Sequence, residues 1–170
     1  MNIKVIVLDV DGTLTDSTVY YGDNNLELKA FSTKDGAALK PLQGLGIDVI
    51  FLTGRECEAV MRRAADLGAT AVQNISDKAA KLRDLLAERG ITPEQAVYIG
   101  DDLNDYAAMS LCGYKACPFD SAAEIKTIAN YVSPLHGGHG AVRDIVEKLL
   151  KDSGRWGELL ARYSIADEQK

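Results

Sequence analysis

The 170-residue chain has no excess of basic residues, no long apolar run and few cysteines. Its 25 acidic and 19 basic residues give a net charge of −6, which disfavours a nucleic-acid partner because phosphate backbones need clustered positive charge. We expect a cytoplasmic protein, since no charged leader precedes an apolar segment. The three cysteines, Cys57, Cys112 and Cys117, indicate reduced, buried thiols rather than a disulfide framework. A zinc site at the last two is disfavoured because further ligands are lacking nearby.

What the chain does contain is an alternation of short β-branched runs with segments of helical periodicity. Helices are clearest at 77–89, where Gly90 follows, and at 56–67, where Gly68 follows. Because single helices separate successive strands, we expect an α/β fold: a doubly wound, Rossmann-like parallel sheet with helices on both faces. The predicted strands are residues 4–8, 48–52, 69–72, 96–99, 113–116 and 131–132.

Two segments depart from this alternation. Residues 19–31 alternate around a turn at 22–25, which predicts a β-hairpin after the first strand rather than a crossover helix. Pro41 falls inside an otherwise helical segment at 35–45, where it removes a backbone donor and clashes with the preceding turn. We therefore expect a kink there, or a helix that starts later.

Polar residues follow the predicted strands directly or open the next helix. They are, in chain order, Asp9, Asp11, Thr53, Gly54, Arg55, Lys78, Asp101, Asp102 and Asp105. Because the carboxyl ends of parallel strands meet at one edge of a sheet, we expect these residues to line one crevice. Carboxylates gathered in one crevice repel each other, and a hard cation with oxygen ligands relieves the repulsion. The pattern therefore predicts a Mg²⁺ site.

The acidic residues also have purely structural explanations. An Asp after a strand often forms a turn or caps a helix, and Asp16, in a polar loop, fits a turn role better than a chemical one. Either Asp101 or Asp102 can cap the helix predicted at 103–111, although one cap needs only one carboxylate. Asp9 is harder to explain in this way, because it continues an apolar strand where an unpaired charge is costly.

The hydroxyl and cationic residues have alternatives as well. Taken alone, Thr53 is a strand-end hydroxyl and Lys78 a solvated helix charge. Arg55 suits bidentate binding of a carboxylate, but a surface salt bridge with Glu56 or Glu58 is the other interpretation. A protein of net charge −6 needs local cations of this kind to bind an anionic substrate.

The chain resembles the haloacid dehalogenase (HAD) superfamily of phosphatases in four segments that match its signatures in order and spacing. They are Asp9-Val10-Asp11-Gly12-Thr13, Thr53-Gly54-Arg55, Lys78, and Gly100-Asp101-Asp102 with Asp105. The resemblance implies one phosphatase domain over residues 1–150 and a helical tail over 151–170. It also implies that Asp9 attacks phosphorus to form an aspartyl-phosphate, while Asp11 protonates the leaving oxygen and then activates water. The implied Mg²⁺ ligands are Asp9, the carbonyl of Asp11, Asp101 and, through water, Asp102. The implied phosphate-binding residues are Thr53, Gly54 and Lys78.

A closer resemblance is to the capless sugar-acid phosphatases of that superfamily, in the segments 31–36, 53–55 and 137–143. It implies a role in lipopolysaccharide precursor synthesis, with 3-deoxy-D-manno-octulosonate (KDO) 8-phosphate as substrate and the KDN or N-acetylneuraminate 9-phosphates as alternatives. Candidate substrate-binding residues are Arg55, Lys34 and Arg143. Lys34 stands where the octulosonate phosphatases often have Arg, and Asp144 where the pattern usually has Glu. The segment 136–144 is otherwise simply a flexible loop that enters a helix at 141–150.

The connections between the signature segments are too short for the cap domain that covers the crevice in many superfamily members. An open crevice admits water unless something else covers it. Capless relatives of the octulosonate type are tetramers whose neighbouring subunits close the site, so the resemblance implies a homotetramer here. The apolar hairpin at 19–31 is a candidate contact.

Two other classes of protein share parts of this pattern. Response-regulator receivers also combine a phosphorylated Asp, a Thr, a Lys and an acidic pair, but they place the acidic pair first and the phosphorylated Asp later. Here Asp9 comes first and Asp101-Asp102 come late. The other class is a weakly active oligomerisation module like those fused to sialic-acid cytidylyltransferases, which the complete set of catalytic residue types disfavours.

Overall fold

The computed structural model describes residues 2–24 and 26–166. Its strands are β1 (Val5–Leu8), β2 (Tyr20–Tyr21), β3 (Glu27–Leu28), β4 (Asp48–Leu52), β5 (Thr70–Val72), β6 (Ala96–Ile99), β7 (Tyr114–Cys117) and β8 (Tyr131–Val132). Six of them form one parallel sheet in the order β5-β4-β1-β6-β7-β8. The predicted doubly wound parallel sheet is confirmed, with strand bounds within one residue of those predicted.

Helices cover both faces of this sheet. They are α1 (Thr33–Leu39), α2 (Glu58–Leu67), α3 (Lys78–Glu88), α4 (Tyr106–Leu111), α5 (Ala123–Ile128), α6 (Ala141–Asp152) and α7 (Trp156–Arg162). Apolar residues of α1, α2, α6 and α7 share one buried cluster, and those of α3, α4 and α5 share the other. Along β1, Ile6 and Leu8 belong to the first cluster while Val5 and Val7 belong to the second. This alternation follows from the two-residue period of a strand that is buried on both sides.

The position of β1 decides where its carboxyl end lies. All four of its residues are buried, and the strand pairs in parallel with β4 on one side and β6 on the other. A continuous apolar strand is typical of the centre of a parallel sheet, since no side of it meets water. The residues that follow β1 therefore emerge at the middle of the sheet edge.

The helical segment around Pro41 differs from the prediction. α1 begins at Thr33, where Ser32 Oγ accepts a hydrogen bond from the N–H of Asp35 (3.4 Å), so a later start was wrong. A 3₁₀ helix, Lys40–Leu45, continues directly from α1 with the proline in its first turn. The carbonyl of Ala37, which an N–H at residue 41 would reach in a continuous α-helix, accepts from the Tyr163 hydroxyl instead. The break at Pro41 is thus a change of helix type.

Two other helix predictions need correction. α2 begins at Glu58 rather than at residue 56, because Cys57 is extended (φ −152°, ψ 130°) and forms its N-cap. The helix predicted at 103–111 divides into a 3₁₀ turn, Leu103–Asp105, and α4.

The predicted hairpin after the first strand is confirmed as the antiparallel pair β2–β3, in which Tyr20 pairs with Leu28. Of the turn predicted at 22–25, Asn25 lies outside the described residues. The hairpin leaves apolar side chains exposed, including Tyr21 (74%) and Leu28 (53%).

The predicted helical tail begins within α6, and Leu159 of α7 is buried in the same cluster as α1 and α6. Residues 167–170 of that tail lie outside the described residues. The three cysteines are free and buried, as predicted. Within the described part of the chain, none of the helices combines the length and the apolar character that a membrane crossing requires.

Candidate active site

The predicted crevice lies where β1, β4 and β6 end. Asp9 follows β1, and its N–H donates to the carbonyl of Ile99, the last residue of β6 (2.9 Å). Thr53 follows β4, and its N–H donates to the carbonyl of Val72 at the end of β5 (3.0 Å). Parallel pairing thus brings the ends of four strands to one edge, and Asp101 follows β6 by two residues.

The loop after β1 turns sharply. The carbonyl of Val10 accepts hydrogen bonds from the N–H groups of Leu14 and Thr15, each at 3.0 Å. Gly12 has φ +101°, and a Cβ at this position would lie 2.0 Å from Oδ2 of Asp101. Only glycine allows both the positive φ and this approach. The turn therefore packs the backbone of the Asp9 loop directly against the acidic segment after β6.

Lys78 is placed at the first turn of α3, whose N-cap is Asp77. Its ammonium contacts the carboxylate of Asp9 and donates to Oδ1 of Asp105 at 2.7 Å, and the residue is only 3% exposed. Burial alone would lower the pKa of Lys78, but the charges of Asp9 and Asp105 outweigh it and the pKa is raised. The lysine is therefore a permanently charged cation at the centre of the site, not a solvated helix residue.

Asp105 is fully buried and accepts hydrogen bonds on both oxygens. Oδ1 accepts from the Lys78 ammonium and from the Tyr98 hydroxyl (2.8 Å), and Oδ2 accepts from the N–H groups of Asp101 (3.1 Å) and Asp102 (3.4 Å). Sequence reasoning noted Asp105 beside the acidic pair but assigned it no role. Its place three residues after Asp102, the spacing of a helix capping box, was the available signal. Nothing in the strand pattern singled out Tyr98.

Asp101 and Asp9 are two carboxyl groups of the site whose pKa values are raised. Thr13 donates its hydroxyl to Oδ1 of Asp101 at 2.9 Å. Burial and, less strongly, the nearby charge of Asp105 raise the pKa of Asp101 to about 7. The pKa of Asp9 is raised well above its usual range, chiefly by burial and by Asp105, although Lys78 opposes the shift. One ammonium does not balance the three carboxylates.

The carboxylates of Asp9, Asp101 and Asp105 each offer an oxygen within 4.8 Å of the others. A hard, oxygen-only donor set whose negative charge Lys78 offsets only in part fits Mg²⁺. Asp105 is already engaged by Lys78 and Tyr98, so Asp9 and Asp101 are the carboxylates with capacity left for the ion. Asp102 is exposed, and its side chain accepts from the N–H of Leu103 at 2.7 Å, which is the cap role considered above.

Asp11 is bound by the hairpin. Its half-buried carboxylate contacts the ammonium of Lys29, whose side chain is fully buried and also lies 3.2 Å from Oε1 of Glu27. Burial works against the charge of Lys29, but Asp11 and Glu27 outweigh it, so the pKa of Lys29 is raised. Sequence reasoning missed both hairpin residues, because it treated residues 19–31 as an apolar ribbon.

The loop after β4 presents one buried and one exposed side chain. Thr53 is 2% exposed, and its hydroxyl accepts from the N–H of Arg55 at 3.1 Å. The guanidinium of Arg55 is exposed and donates to Glu27 (3.1 Å) and to the Tyr21 hydroxyl (3.0 Å). Its ion pair is thus with the hairpin rather than with Glu56 or Glu58.

The two other candidate substrate cations lie on helices. Lys34 is exposed in the first turn of α1. Arg143 lies in the first turn of α6, where its N–H donates to the buried carboxylate of Asp35 (2.8 Å). Its guanidinium is 3.4 Å from Glu147 and lies over the ring of Trp156, 5.6 Å from the ring centre. Both residues remain predictions as substrate ligands.

The glycine-rich segment before α6 packs against the Asp9 loop. The N–H of Gly138 donates to the carbonyl of Thr13 (3.2 Å), and a Cβ at Gly137 would lie 1.9 Å from the carbonyl oxygen of Gly12. This close approach gives the glycines a packing role beyond a simple flexible loop. Asp16 accepts from the N–H of Thr18 (3.0 Å), the turn role predicted for it.

Comparison with known sequences adds a family and named relatives. The model of the haloacid dehalogenase-like hydrolases matches residues 70–145. The 3-deoxy-D-manno-octulosonate 8-phosphate phosphatase of Escherichia coli K12 is 39% identical over 158 residues, which cover 92% of this chain and 84% of that protein. The enzyme of the same name from Yersinia pestis is 39% identical over 150 residues, covering 88% and 80%.

Solved structures lead to the same group of proteins. A 3-deoxy-D-manno-octulosonate 8-phosphate phosphatase from Moraxella catarrhalis, in complex with magnesium, phosphate and KDO, superposes with a TM-score of 0.91 at 34% identity, covering 95% of this chain and 94% of that one. The cobalt-bound enzyme from Haemophilus influenzae superposes with a TM-score of 0.87 at 36% identity, covering 92% of each chain.

Proposed function

Because the chain belongs to the haloacid dehalogenase-like hydrolases, in the family of the KDO 8-phosphate phosphatases, we propose that it hydrolyses KDO 8-phosphate to KDO and inorganic phosphate with Mg²⁺. The observation that carries the proposal is the buried cluster of Asp9, Lys78, Asp101 and Asp105 at the end of the central strand. In such a cluster, a carboxylate nucleophile lies beside the fixed positive charge of a lysine and beside carboxylates that can bind a metal cation.

Asp9 is the proposed nucleophile. Its carboxylate oxygen forms a bond to phosphorus while the bond from phosphorus to the sugar oxygen breaks, which leaves an aspartyl-phosphate. Lys78 contacts Asp9 and is placed to offset negative charge, and Thr53 and Gly54 are the proposed ligands of the phosphoryl oxygens. A Mg²⁺ ion on Asp9 and Asp101 supplies the charge that lets a carboxylate approach a phosphate dianion.

Asp11 is the proposed acid and base. It gives its proton to the departing sugar oxygen, and then takes a proton from the water that hydrolyses the aspartyl-phosphate. Phosphate-monoester hydrolysis can need accelerations of up to ~10²¹, whereas a positioned general acid contributes ~10²–10⁴. Charge and position at Asp9, Lys78 and the Mg²⁺ ligands must supply most of the remainder.

The sugar-acid specificity is argued from the relatives and from Arg55. The relatives named above are octulosonate phosphatases, which favours KDO 8-phosphate over the nine-carbon esters and over a non-catalytic module. The exposed guanidinium of Arg55 is the proposed ligand of the substrate carboxylate. Lys34 and Arg143 are retained as weaker candidates.

We also propose a cytoplasmic homotetramer that takes part in lipopolysaccharide precursor synthesis. The support for assembly is the exposed apolar surface of the hairpin, at Tyr21, Leu26 and Leu28. Light scattering after size exclusion tests it: a monomer at micromolar concentration would count against the proposal.

The activity test is a phosphate-release assay with Mg²⁺ on KDO 8-phosphate, the two nine-carbon 9-phosphates and p-nitrophenyl phosphate. We expect KDO 8-phosphate to have the highest kcat/KM. Equal values of kcat/KM across unrelated esters would contradict the proposal that the substrate is a sugar-acid phosphate. Asp9→Asn should abolish turnover of every ester. Asp11→Asn should leave only slow turnover of p-nitrophenyl phosphate, because its phenolate leaves without needing a proton but the hydrolysis of the aspartyl-phosphate still lacks its base. Asp84→Asn, an exposed residue of α3, is the matched control.

A further inference from the structure

The side chain of Lys29 is covered, although the hairpin that carries it is largely exposed. The accessible fraction of the Lys29 side chain is 0%, while Tyr21 and Leu28 are exposed. A buried ammonium is costly unless carboxylates pair with it. Lys29 has two such partners, Asp11 on the loop after β1 and Glu27 on β3.

Glu27 extends these contacts to a second loop of the site. One of its oxygens is 3.2 Å from the Lys29 ammonium and the other is 3.1 Å from the Arg55 guanidinium, which also binds the Tyr21 hydroxyl. The chain of charges runs from Asp11 through Lys29 and Glu27 to Arg55. A two-stranded hairpin is thereby attached to the loops that follow β1 and β4.

We propose that Lys29 is a positioning residue that holds the carboxyl group of Asp11 in place for proton transfer, with Glu27 fixing Lys29. The inference rests on the proposed function, because it assigns Lys29 a part in the step given to Asp11. A general acid must stay within hydrogen-bond reach of the leaving oxygen. The side chain of Asp11 is 21% exposed, and Lys29 is the residue that the structure places against it. The hairpin is then part of the catalytic machinery.

The test uses the leaving group as its readout. Lys29→Met should lower kcat for KDO 8-phosphate by about 10²-fold, the cost of a misplaced catalytic group, with KM little changed. The loss in the first release of p-nitrophenolate from p-nitrophenyl phosphate, measured in a single turnover, should be at least about tenfold smaller, because that step does not need the acid. Lys29→Arg should recover much of the sugar-phosphate activity. Lys4→Met, an exposed lysine ahead of β1, is the matched control.

A double variant separates positioning from stability. If Lys29 acts through Asp11, then Asp11→Asn with Lys29→Met should be no slower on KDO 8-phosphate than Asp11→Asn alone, within about twofold. A loss in single-turnover p-nitrophenolate release as large as the loss on KDO 8-phosphate, or multiplying losses in the double variant, would overturn the proposal. Should Lys29→Met fail to fold in a thermal melt, Lys29→Gln and Glu27→Gln give the same comparison. Inactivity of the unaltered protein on KDO 8-phosphate would instead refute the proposed function.

Discussion

Replacing Asp105 by Asn tests how much of the fold depends on the charge cluster. The Asp105 carboxylate accepts from Lys78 and Tyr98 on one oxygen and from two backbone N–H groups on the other. An Asn side chain has the same shape but only one acceptor oxygen. If its NH₂ group faces the backbone N–H groups of Asp101 and Asp102, both lose their acceptor. If it faces Lys78 and Tyr98, the hydroxyl can turn to accept, and Lys78 loses one of its two carboxylate partners.

The magnitude follows from that count. One or two donors lose an acceptor at about 1–3 kcal/mol each, so Asp105→Asn should lower the free energy of unfolding by about 1–6 kcal/mol. Relief of the repulsion that Asp105 exerts on Asp9 and Asp101 offsets part of this cost, which places the expected loss in the lower half of the range. Each kcal/mol corresponds to about 2–4 °C in Tm for a domain of this size.

The assay is urea unfolding at pH 7 in EDTA. The control is Asp84→Asn, which removes an exposed carboxylate. The control should change the free energy of unfolding by less than about 0.5 kcal/mol. A loss below about 1 kcal/mol for Asp105→Asn, with an unchanged m value, would mean that the four hydrogen bonds do not act as a buried unit, and the reasoning would be refuted.

Three further predictions concern metal, packing and substrate. Burial raises the pKa of Asp101 in the folded protein to about 7, above its ordinary value of 3.8. Without metal, the contribution of Asp101 to the free energy of unfolding is therefore largest at low pH and declines as the pH rises through that interval. Mg²⁺ should accordingly raise Tm more at pH 8 than at pH 5, compared with EDTA, in a thermal melt. Gly137→Ala should lower the free energy of unfolding by about 1–3 kcal/mol or more, since its Cβ meets the Gly12 carbonyl; the same change at Gly90, which has open space, should cost only about 1 kcal/mol for its positive φ. Arg55→Met should lower kcat/KM for KDO 8-phosphate about 10–150-fold, the worth of a hydrogen bond between charged groups, mainly through KM; an equal loss on p-nitrophenyl phosphate would remove Arg55 as the carboxylate ligand.

The sheet was predictable because its signals are local. Continuous apolar runs such as Val5–Leu8, separated by helical periodicity, are sufficient to order parallel strands and to find their carboxyl ends. Asp9, Thr53, Lys78 and Asp101 could be placed at one edge for the same reason. The helix bounds that were predicted wrongly depend on the backbone conformation of single residues, such as the extended Cys57. Hydrophobic periodicity carries no information about the conformation of one residue.

The contacts of the hairpin could not be predicted, because they depend on how it folds back on the sheet edge. Alternation at residues 19–31 predicts a hairpin but not its direction. The alternation did not single out Lys29 or Glu27, and the ion pair considered for Arg55 was with its sequence neighbours Glu56 or Glu58. Long-range ion pairs of this kind have no periodic signature.

The charges of the cluster explain why its members cannot be understood singly. Asp9, Asp101 and Asp105 bring three negative charges, and Lys78 brings one positive charge. Lys78 contacts both Asp9 and Asp105, and Asp105 is itself held by Tyr98 and two backbone donors, so the protein balances one of the three negative charges. Two carboxylates remain, and their raised pKa values show that the protein alone does not compensate them. A divalent cation matches that remaining negative charge, so Lys78 and the metal together neutralise the three carboxylates.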